Sequence, residues 1–393
     1  MALKVNAEME ALHINQTWIL TDLPPNRKPI GCKWIYRIKY KSNGEIERYK
    51  ARLVAKGFSQ TEGVDYDETF SPVVKMVTVR CVLTLAVNNG WLLHQLDINN
   101  AFLYGDLDEE APRKWNEKLS NCLSENGFVQ SKSDTSMYIK TKDDIFVVLL
   151  VYVDDIVLTG NNIKEIKSVK AFLSSKFMIK DLGLLKYFLG IEVTNTDEGL
   201  NLSQRKYCLE LINEFGLLAA KPVNTPIDVN VSSYKGENED IIKNMSVYQK
   251  LVGKLIYMTV TRPDISYVVH VLSQFMHAPA VSHLKIAFRV LKYLKGCPGK
   301  GISINKGMKN FDITAFVDSD WGKNLLARKS IIGFCIFLGD SLISWKIKRQ
   351  PIVSRSSAEA EYRAMGAATC ELIWILKLLT ELKLKNLIPI KMF

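Results

Sequence analysis

The sequence predicts a mixed α+β fold of more than one domain, and three observations carry that expectation. The stretch "KWIYRIKYKSNGEIERYKARLVAKG" alternates with period two around an Asn-Gly turn, as a β-hairpin does. "FVVLLVYVDDIVLTG" is an apolar, β-branched run with two adjacent carboxylates, Asp154 and Asp155, at its centre. Near the C-terminal end, "IIGFCIFLGDSLISWKIK" reads as a hairpin ahead of a long helical stretch, which suggests an α/β unit of its own. With 393 residues, of which 47% are hydrophobic and 24% charged, two or three domains with ample core are expected.

Taken in order, a short amphipathic helix precedes the first hairpin. In that hairpin Trp34, Tyr36, Ile38 and Tyr40 alternate with Lys33, Arg37, Lys39 and Lys41, and Arg48, Lys50, Arg52 and Lys56 fall on one face beyond the turn. One face is thus apolar and the other basic, a pattern that points to phosphate contact more than to plain solvation. "VTVRCVLTLAVNNG" is helical and leads into the strand "LLHQLDINNAFLYGDL". The helix "APRKWNEKLSNCLSENG" and the strands of "SMYIKTKDDIFVVLLVYVDDIVLTG" follow. A helix from Ile163 and a two-stranded "YFLGIEVTNTDEGLNLSQ" come next, and the polar stretch 225–246 reads as a linker. Three helices then follow, the last with Ser282 as N-cap and with Leu284, Phe288, Leu291 and Leu294 as its buried stripe. Lys285, Arg289 and Lys292 share another face of it, which reads as solvated.

Composition narrows the function classes. Lys and Arg number 52 against 41 Asp and Glu, a net charge of +11, which suits a polyanionic partner such as nucleic acid. The seven cysteines are scattered without a CxxC pair, and the five histidines form no cluster, so reduced thiols and no zinc site are expected. The N-terminus lacks a signal pattern, and "IFVVLLVYV" is shorter than the ~20 apolar residues of a membrane span, so a soluble chain is expected.

Two ionised carboxylates cannot sit side by side inside a buried strand without a large desolvation cost. If "FVVLLVYV" and "IVLTG" pair antiparallel, Asp154 and Asp155 lie at the hairpin tip and leave the core. Two such carboxylates form half of a divalent-metal site, and Asp97 of "HQLDINNAF" can complete a triad of hard oxygen ligands.

"YVDDIVL" resembles the Tyr-x-Asp-Asp hairpin of reverse transcriptases, and "QLDINNAFLYGDL" resembles the first palm motif of copia-type retrotransposon polymerases. "GCKWIYRIKYKSNGEIERYKARLVAKGFSQTEGVDYDETFSPVVK" is similar to their fingers, "LVGKLIYMTVTRPDISYVV" to the helical region after the palm, and "VSRSSAEAEYRA" to their RNase H domain. The resemblance implies an RNA-directed DNA polymerase that uses Mg²⁺, an RNA or DNA template-primer and deoxynucleoside triphosphates. It implies a right-hand polymerase with fingers (1–90), palm (91–224), a polar linker with helical thumb or connection (225–310), and a partial RNase H-like domain (311–393). Carried over by position, Asp97, Asp154 and Asp155 would bind two Mg²⁺ ions. Phe102 would pack beneath the incoming sugar, with Asn100 and Ala101 in the same pocket. Lys50 and Arg52 fall where the fingers contact the triphosphate, the match slipping by a residue there. Asp318 and Glu361 would be carboxylates of the RNase H metal site, while Glu359, three residues after Ser356, has a helix-capping role available. Family habit implies a cytoplasmic location in virus-like particles.

The match breaks at two places. Copia-type enzymes carry a further stretch between "GDLDEE" and "APRKW", whereas here Glu110 abuts Ala111. The stretch should supply a palm strand and residues that position the base pair, so weak polymerase activity or none is expected. The sequence also stops at "IPIKMF", before the family's third RNase H carboxylate. No hybrid cleavage, an unpaired sheet edge and loose folding of 311–393 are therefore expected. The chain reads as a retrotransposon relic, the competing reading being an inactive remnant that only binds nucleic acid.

Overall fold

The computed structural model describes residues 31–40, 45–56, 74–98, 111–228, 241–242, 244–308, 310–323 and 327–393, with Met9 and Pro29 as isolated positions. The N-terminal helix, most of the linker and residues 99–110 lie outside the described residues. Strands β1 (Cys32–Tyr40) and β2 (Ile46–Ala55) form the first hairpin, with Arg37 opposite Lys50 and Lys39 opposite Arg48. That register places the four cations on one face, where Ile35, opposite Arg52, interrupts the basic pattern. Tyr36, Ile38 and Tyr49 occupy the other face and are exposed.

The apolar run with the two aspartates lies in a six-stranded antiparallel sheet of order β4-β5-β6-β7-β3-β8. Its strands are β3 (His94–Ile98), β4 (Val129–Gln130), β5 (Met137–Lys142), β6 (Ile145–Tyr152), β7 (Asp155–Gly160) and β8 (Ile179–Leu184). Both faces are covered, which is why β6 is continuously apolar rather than alternating. On one face Leu96, Ile98, Leu149 and Ile156 pack against Trp115 and Leu119 of α2 (Ala111–Glu125) and Ile166 and Leu173 of α3 (Ile163–Lys176). On the other, Val148, Leu150 and Val157 join a core that includes Val82 and Leu85 of α1 (Met76–Asn88). At Gly160 a β-carbon would strike the Phe146 carbonyl, so the end of β7 requires glycine.

A second sheet, order β12-β11-β10-β9, comprises β9 (Tyr187–Phe188), β10 (Ile191–Thr196), β11 (Gly199–Ser203) and β12 (Ile302–Asn305). Between β11 and β12 the chain builds a helical body from α4 (Arg205–Glu214), α5 (Met245–Met258), α6 (Ser266–Ser273) and α7 (Val281–Gly296). Met245 and Ser246, expected in the linker, already belong to α5. The N-cap of α7 is Ala280 rather than Ser282, because the His283 ring folds back and its Nδ1 accepts the Ala280 amide at 2.9 Å. Leu291 and Leu294 are buried as expected. Leu284 and Phe288 are only half-buried, and Ile286, Ala287 and Val290 complete the core because α4 and α6 cover a wider arc of the helix.

Fully buried Arg262 ties this body together. It forks onto Asp264 (2.9 and 2.8 Å) and donates to the Cys297 carbonyl (3.0 Å), while the Tyr293 hydroxyl also donates to Asp264 (2.7 Å). Burial alone would push the Asp264 carboxyl up, but the Arg262 and Tyr293 donors outweigh it and hold the pKa below the usual value.

The C-terminal unit has the sheet order β15-β14-β13-β16, from β13 (Ile313–Asp320), β14 (Ile331–Leu338), β15 (Ser341–Arg349) and β16 (Lys391–Met392). Helix α8 (Ser357–Glu381) packs on it through Ala364, Ala368 and Ile375. The open edge expected here is covered in part: β16 pairs parallel with Thr314 and Ala315 of β13. The unit also shares the core of α1 rather than hanging loose. Arg80 of α1 donates to the carbonyls of Ile343 (3.0 Å) and Val260 (2.7 Å), with its guanidinium over the Trp345 ring. Trp374 and Glu381 of α8 grip Ser133.

Asp264→Ala would strand the Arg262 guanidinium in the helical core. A loss of about 3–5 kcal/mol in urea unfolding is expected, whereas Arg262→Met with Asp264→Leu should lose far less.

Candidate functional site

The tip of the β6–β7 hairpin is a two-residue turn formed by Val153 and Asp154. Asp155 is the first residue of β7, opposite Tyr152 on β6 and Asp97 on β3. Three carboxylates are thereby gathered at one end of the sheet: Asp154 exposed, Asp97 and Asp155 half-buried. The strands remain inside the core while the charges face outward, which resolves the conflict posed by adjacent aspartates in an apolar run.

The tip is held by donors from two elements. The Ile98 amide donates to the Asp154 carbonyl at 2.9 Å, and the Trp115 indole N–H donates to the Val153 carbonyl at 2.8 Å. Buried Gln95, two residues before Asp97 on the same face of β3, directs its Nε2 toward Asp155 Oδ1 at 3.4 Å. The period of two along β3 puts Gln95 on the face of Asp97, but nothing in its residue type marks it as a partner of Asp155. Trp115 was readable as buried from the spacing of Trp115, Leu119 and Cys122, but nothing in the pattern gives its N–H a target.

Burial pushes the Asp155 carboxyl above the ordinary Asp value. The charges of Asp154 and Asp97 push it further, and the Gln95 donor opposes them. Crowded carboxylates with hard oxygen donors suit a divalent cation such as Mg²⁺. Among the described residues, however, no three His, Cys, Asp or Glu side chains converge closely enough to form a ready metal cage.

The other expected site residues fall differently. Asn100, Ala101 and Phe102 lie outside the described residues, and Lys50 and Arg52 are placed on β2 only through their backbone register. Asp318 is exposed near the end of β13, and Glu361 of α8 accepts the Ser319 amide at 3.3 Å, beside it. Glu359 is engaged otherwise: its carboxylate accepts the Arg355 amide (2.8 Å) and the Arg363 guanidinium, while the Ser356 hydroxyl accepts the Glu359 amide (3.1 Å). The Arg355 and Arg363 contacts hold its pKa below the usual range. On α7, Arg289 pairs with Asp228 at 2.8 Å, so the basic face is partly neutralised. All seven cysteines are free thiols, and no helix among the described residues is long and apolar enough to cross a membrane.

A family model described as "Reverse transcriptase (RNA-dependent DNA polymerase)" matches residues 15–111 and 109–229. The retrovirus-related Pol polyprotein from transposon RE1 of Arabidopsis thaliana is 42% identical over 414 positions, covering 97% of this chain and 28% of its own length. The corresponding polyprotein from transposon TNT 1-94 of Nicotiana tabacum is 35% identical, covering 96% of this chain and 31% of its own length. An uncharacterized mitochondrial protein of Arabidopsis thaliana is 44% identical over 226 residues, covering 58% of this chain and 93% of its own length. The chain spans less than a third of the length of the two polyproteins.

Because the pKa of Asp155 is raised, folding favours its protonated form, so this contribution is present below about pH 4 and lost as pH rises through the raised pKa. Asp155→Asn is expected to raise Tm at pH 7 by about 2 °C, the gain shrinking toward about pH 4 in thermal scans.

Proposed function

The chain belongs to the reverse transcriptase (RNA-dependent DNA polymerase) family, in its copia-type retrotransposon branch, and from that premise we propose that the hairpin-tip carboxylates are a nucleotidyl-transfer centre, reduced here to weak activity or none. One observation carries the reading: Asp97 stands directly opposite Asp155 in the sheet, with Asp154 beside it at the solvent end. Asp97, Asp154 and Asp155 are the residues that would hold two Mg²⁺ ions. Bound there, the ions would activate the primer 3′-hydroxyl and neutralise the triphosphate.

The chain's own residues supply orientation. Gln95 steers the Asp155 carboxylate, and the backbone bond from Ile98 sets the turn beside Asp97. Asn100, Ala101 and Phe102 would line the nucleotide pocket, and Lys50 and Arg52 would meet the triphosphate, as proposed from their positions in the motifs. The template-primer would lie on the basic face of the first hairpin, where Arg37, Lys39, Arg48 and Lys50 share one register. In the C-terminal unit, Asp318 and Glu361 would be what is retained of an RNase H metal site. Their separation onto β13 and α8 is compatible with that role, as is the amide of Ser319 between them.

The reduced activity is supported by the junction at Glu110–Ala111. The family model matches in two segments that meet at 109–111, and the 414-position alignment with the RE1 polyprotein is longer than this 393-residue chain. The relative therefore carries residues that this chain lacks. Two metal sites without the groups that position the base pair lose most of the effective concentration on which extension depends. This observation also favours the second reading, a remnant that binds nucleic acid without chemistry.

Primer extension on an RNA template with Mg²⁺, comparing the unmutated chain with Asp154→Asn plus Asp155→Asn, tests the reading. A weak signal abolished by the double substitution is the outcome for a retained centre; a folded chain with no signal is the outcome for the remnant. Retention of a labelled template-primer at two salt concentrations separates binding from inertness. A steep fall in affinity with salt is expected, and Arg48→Gln plus Lys50→Gln should flatten it.

A further inference from the structure

Val153 allows the hairpin to turn, and its residue type is poorly suited to the task. It stands at φ +58°, in the left-handed region that β-branched residues rarely adopt. Its carbonyl meets Trp115, whose indole N–H lies 2.8 Å away. Trp115 is 1% exposed, and its ring is fixed edge-on against Phe177 at 5.2 Å. The next carbonyl along the turn, that of Asp154, is taken by the Ile98 amide at 2.9 Å. Two successive turn carbonyls are thus gripped by donors from α2 and β3, and the two carboxylates follow directly. The indole bond forms five residues beyond Glu110, so the helix that follows the junction still seats under the hairpin.

We infer that Trp115 is a positioning residue: its indole N–H holds the left-handed turn at Val153 and so sets where Asp154 and Asp155 present their carboxylates. A buried ring alone would stabilise α2 against the sheet. A buried ring whose only polar atom meets the one turn residue in an unfavourable conformation does more, because it offsets the tendency of that turn to relax. The consequence for cation binding rests on the reading given above, whereas the consequence for the backbone does not.

The test is a cycle of Trp115→Phe, which keeps an aromatic ring but lacks the donor, and Val153→Gly, which takes the left-handed conformation freely. Hydrogen exchange at residues 152–156 reports the turn, and residues 147–150 of β6 serve as the internal reference. Calorimetry with Mn²⁺ alone reports the carboxylates. Trp115→Phe is expected to speed exchange at 152–156 about tenfold, with little change at 147–150, and to weaken Mn²⁺ binding about fivefold. In the Val153→Gly background both effects should shrink to about twofold or less, because the glycine turn no longer needs the bond.

Acceleration that is equal in both backgrounds, spread evenly along β6, or absent makes Trp115 a packing residue and overturns the inference. Should Trp115→Phe fail to fold, recovery of the fold by added Val153→Gly supports the coupling, and failure of both variants overturns it. Coupling in the exchange data without Mn²⁺ binding by the unmutated chain would keep the inference and remove the metal reading. Mn²⁺ binding without coupling would do the reverse.

Discussion

Two adjacent ionised carboxylates cannot be accommodated inside a strand pair buried on both faces, and the organisation of the central sheet follows from that constraint. Strands β6, β7 and β3 are covered by α2 and α3 on one side and by α1 and the C-terminal unit on the other. Asp154 and Asp155 therefore belong where the strands end. A turn of two residues is the shortest way to end them together, and it brings Asp155 opposite Asp97. The cost is a valine in a left-handed conformation, and the neighbouring helix and strand supply the hydrogen bonds that keep it there.

The covering of the second face explains why the C-terminal unit is integral to the fold. The core that begins at Val148, Leu150 and Val157 continues through α1 into Ile343, Ile375 and Leu378. Each such side chain, fully buried, is worth about 1.5–3 kcal/mol, so a shared core of this extent is large beside a net stability of about 5–15 kcal/mol. Polar clamps then set the angle between the parts. Arg80 reaches the backbone of both the helical body and β15, and burial lowers its pKa while leaving it cationic at neutral pH. At the other end of the interface Asp134 accepts the Thr78 hydroxyl and the Lys75 amide at the start of α1.

Local elements were legible wherever a few neighbouring residues decide the backbone. Asn162 before α3 and Ser356 before α8 act as N-caps, with their side chains accepting amides of the first helical turn. The cap of α7 differs from the expected Ser282 because His283, not a hydroxyl residue, satisfies the Ala280 amide, and His is not among the usual capping types. At the site, the hairpin and its two aspartates could be read from alternation and charge. Asp97 could be read as a candidate third carboxylate, but its pairing with Asp155 could not, since no spacing along the chain joins strands separated by α2, β4, β5 and β6.

By itself the sequence determined most of the described helices, the hairpins, the outward placement of Asp154 and Asp155, and, through its motifs, the family. These are properties of short segments: steric limits on backbone angles, a repeat of two or 3.6 residues, and the desolvation cost of adjacent charges. Only the tertiary structure decided that Leu202 of β11 pairs with Ile302 of β12, that β16 joins β13 in parallel, and that α1 shares one core with the six-stranded sheet and both four-stranded sheets. It also decided that the indole of Trp115 ends at Val153. Apolar burial is non-directional, so a hydrophobic stripe records that a partner exists without recording which one. The partner is selected when all the surfaces are packed together.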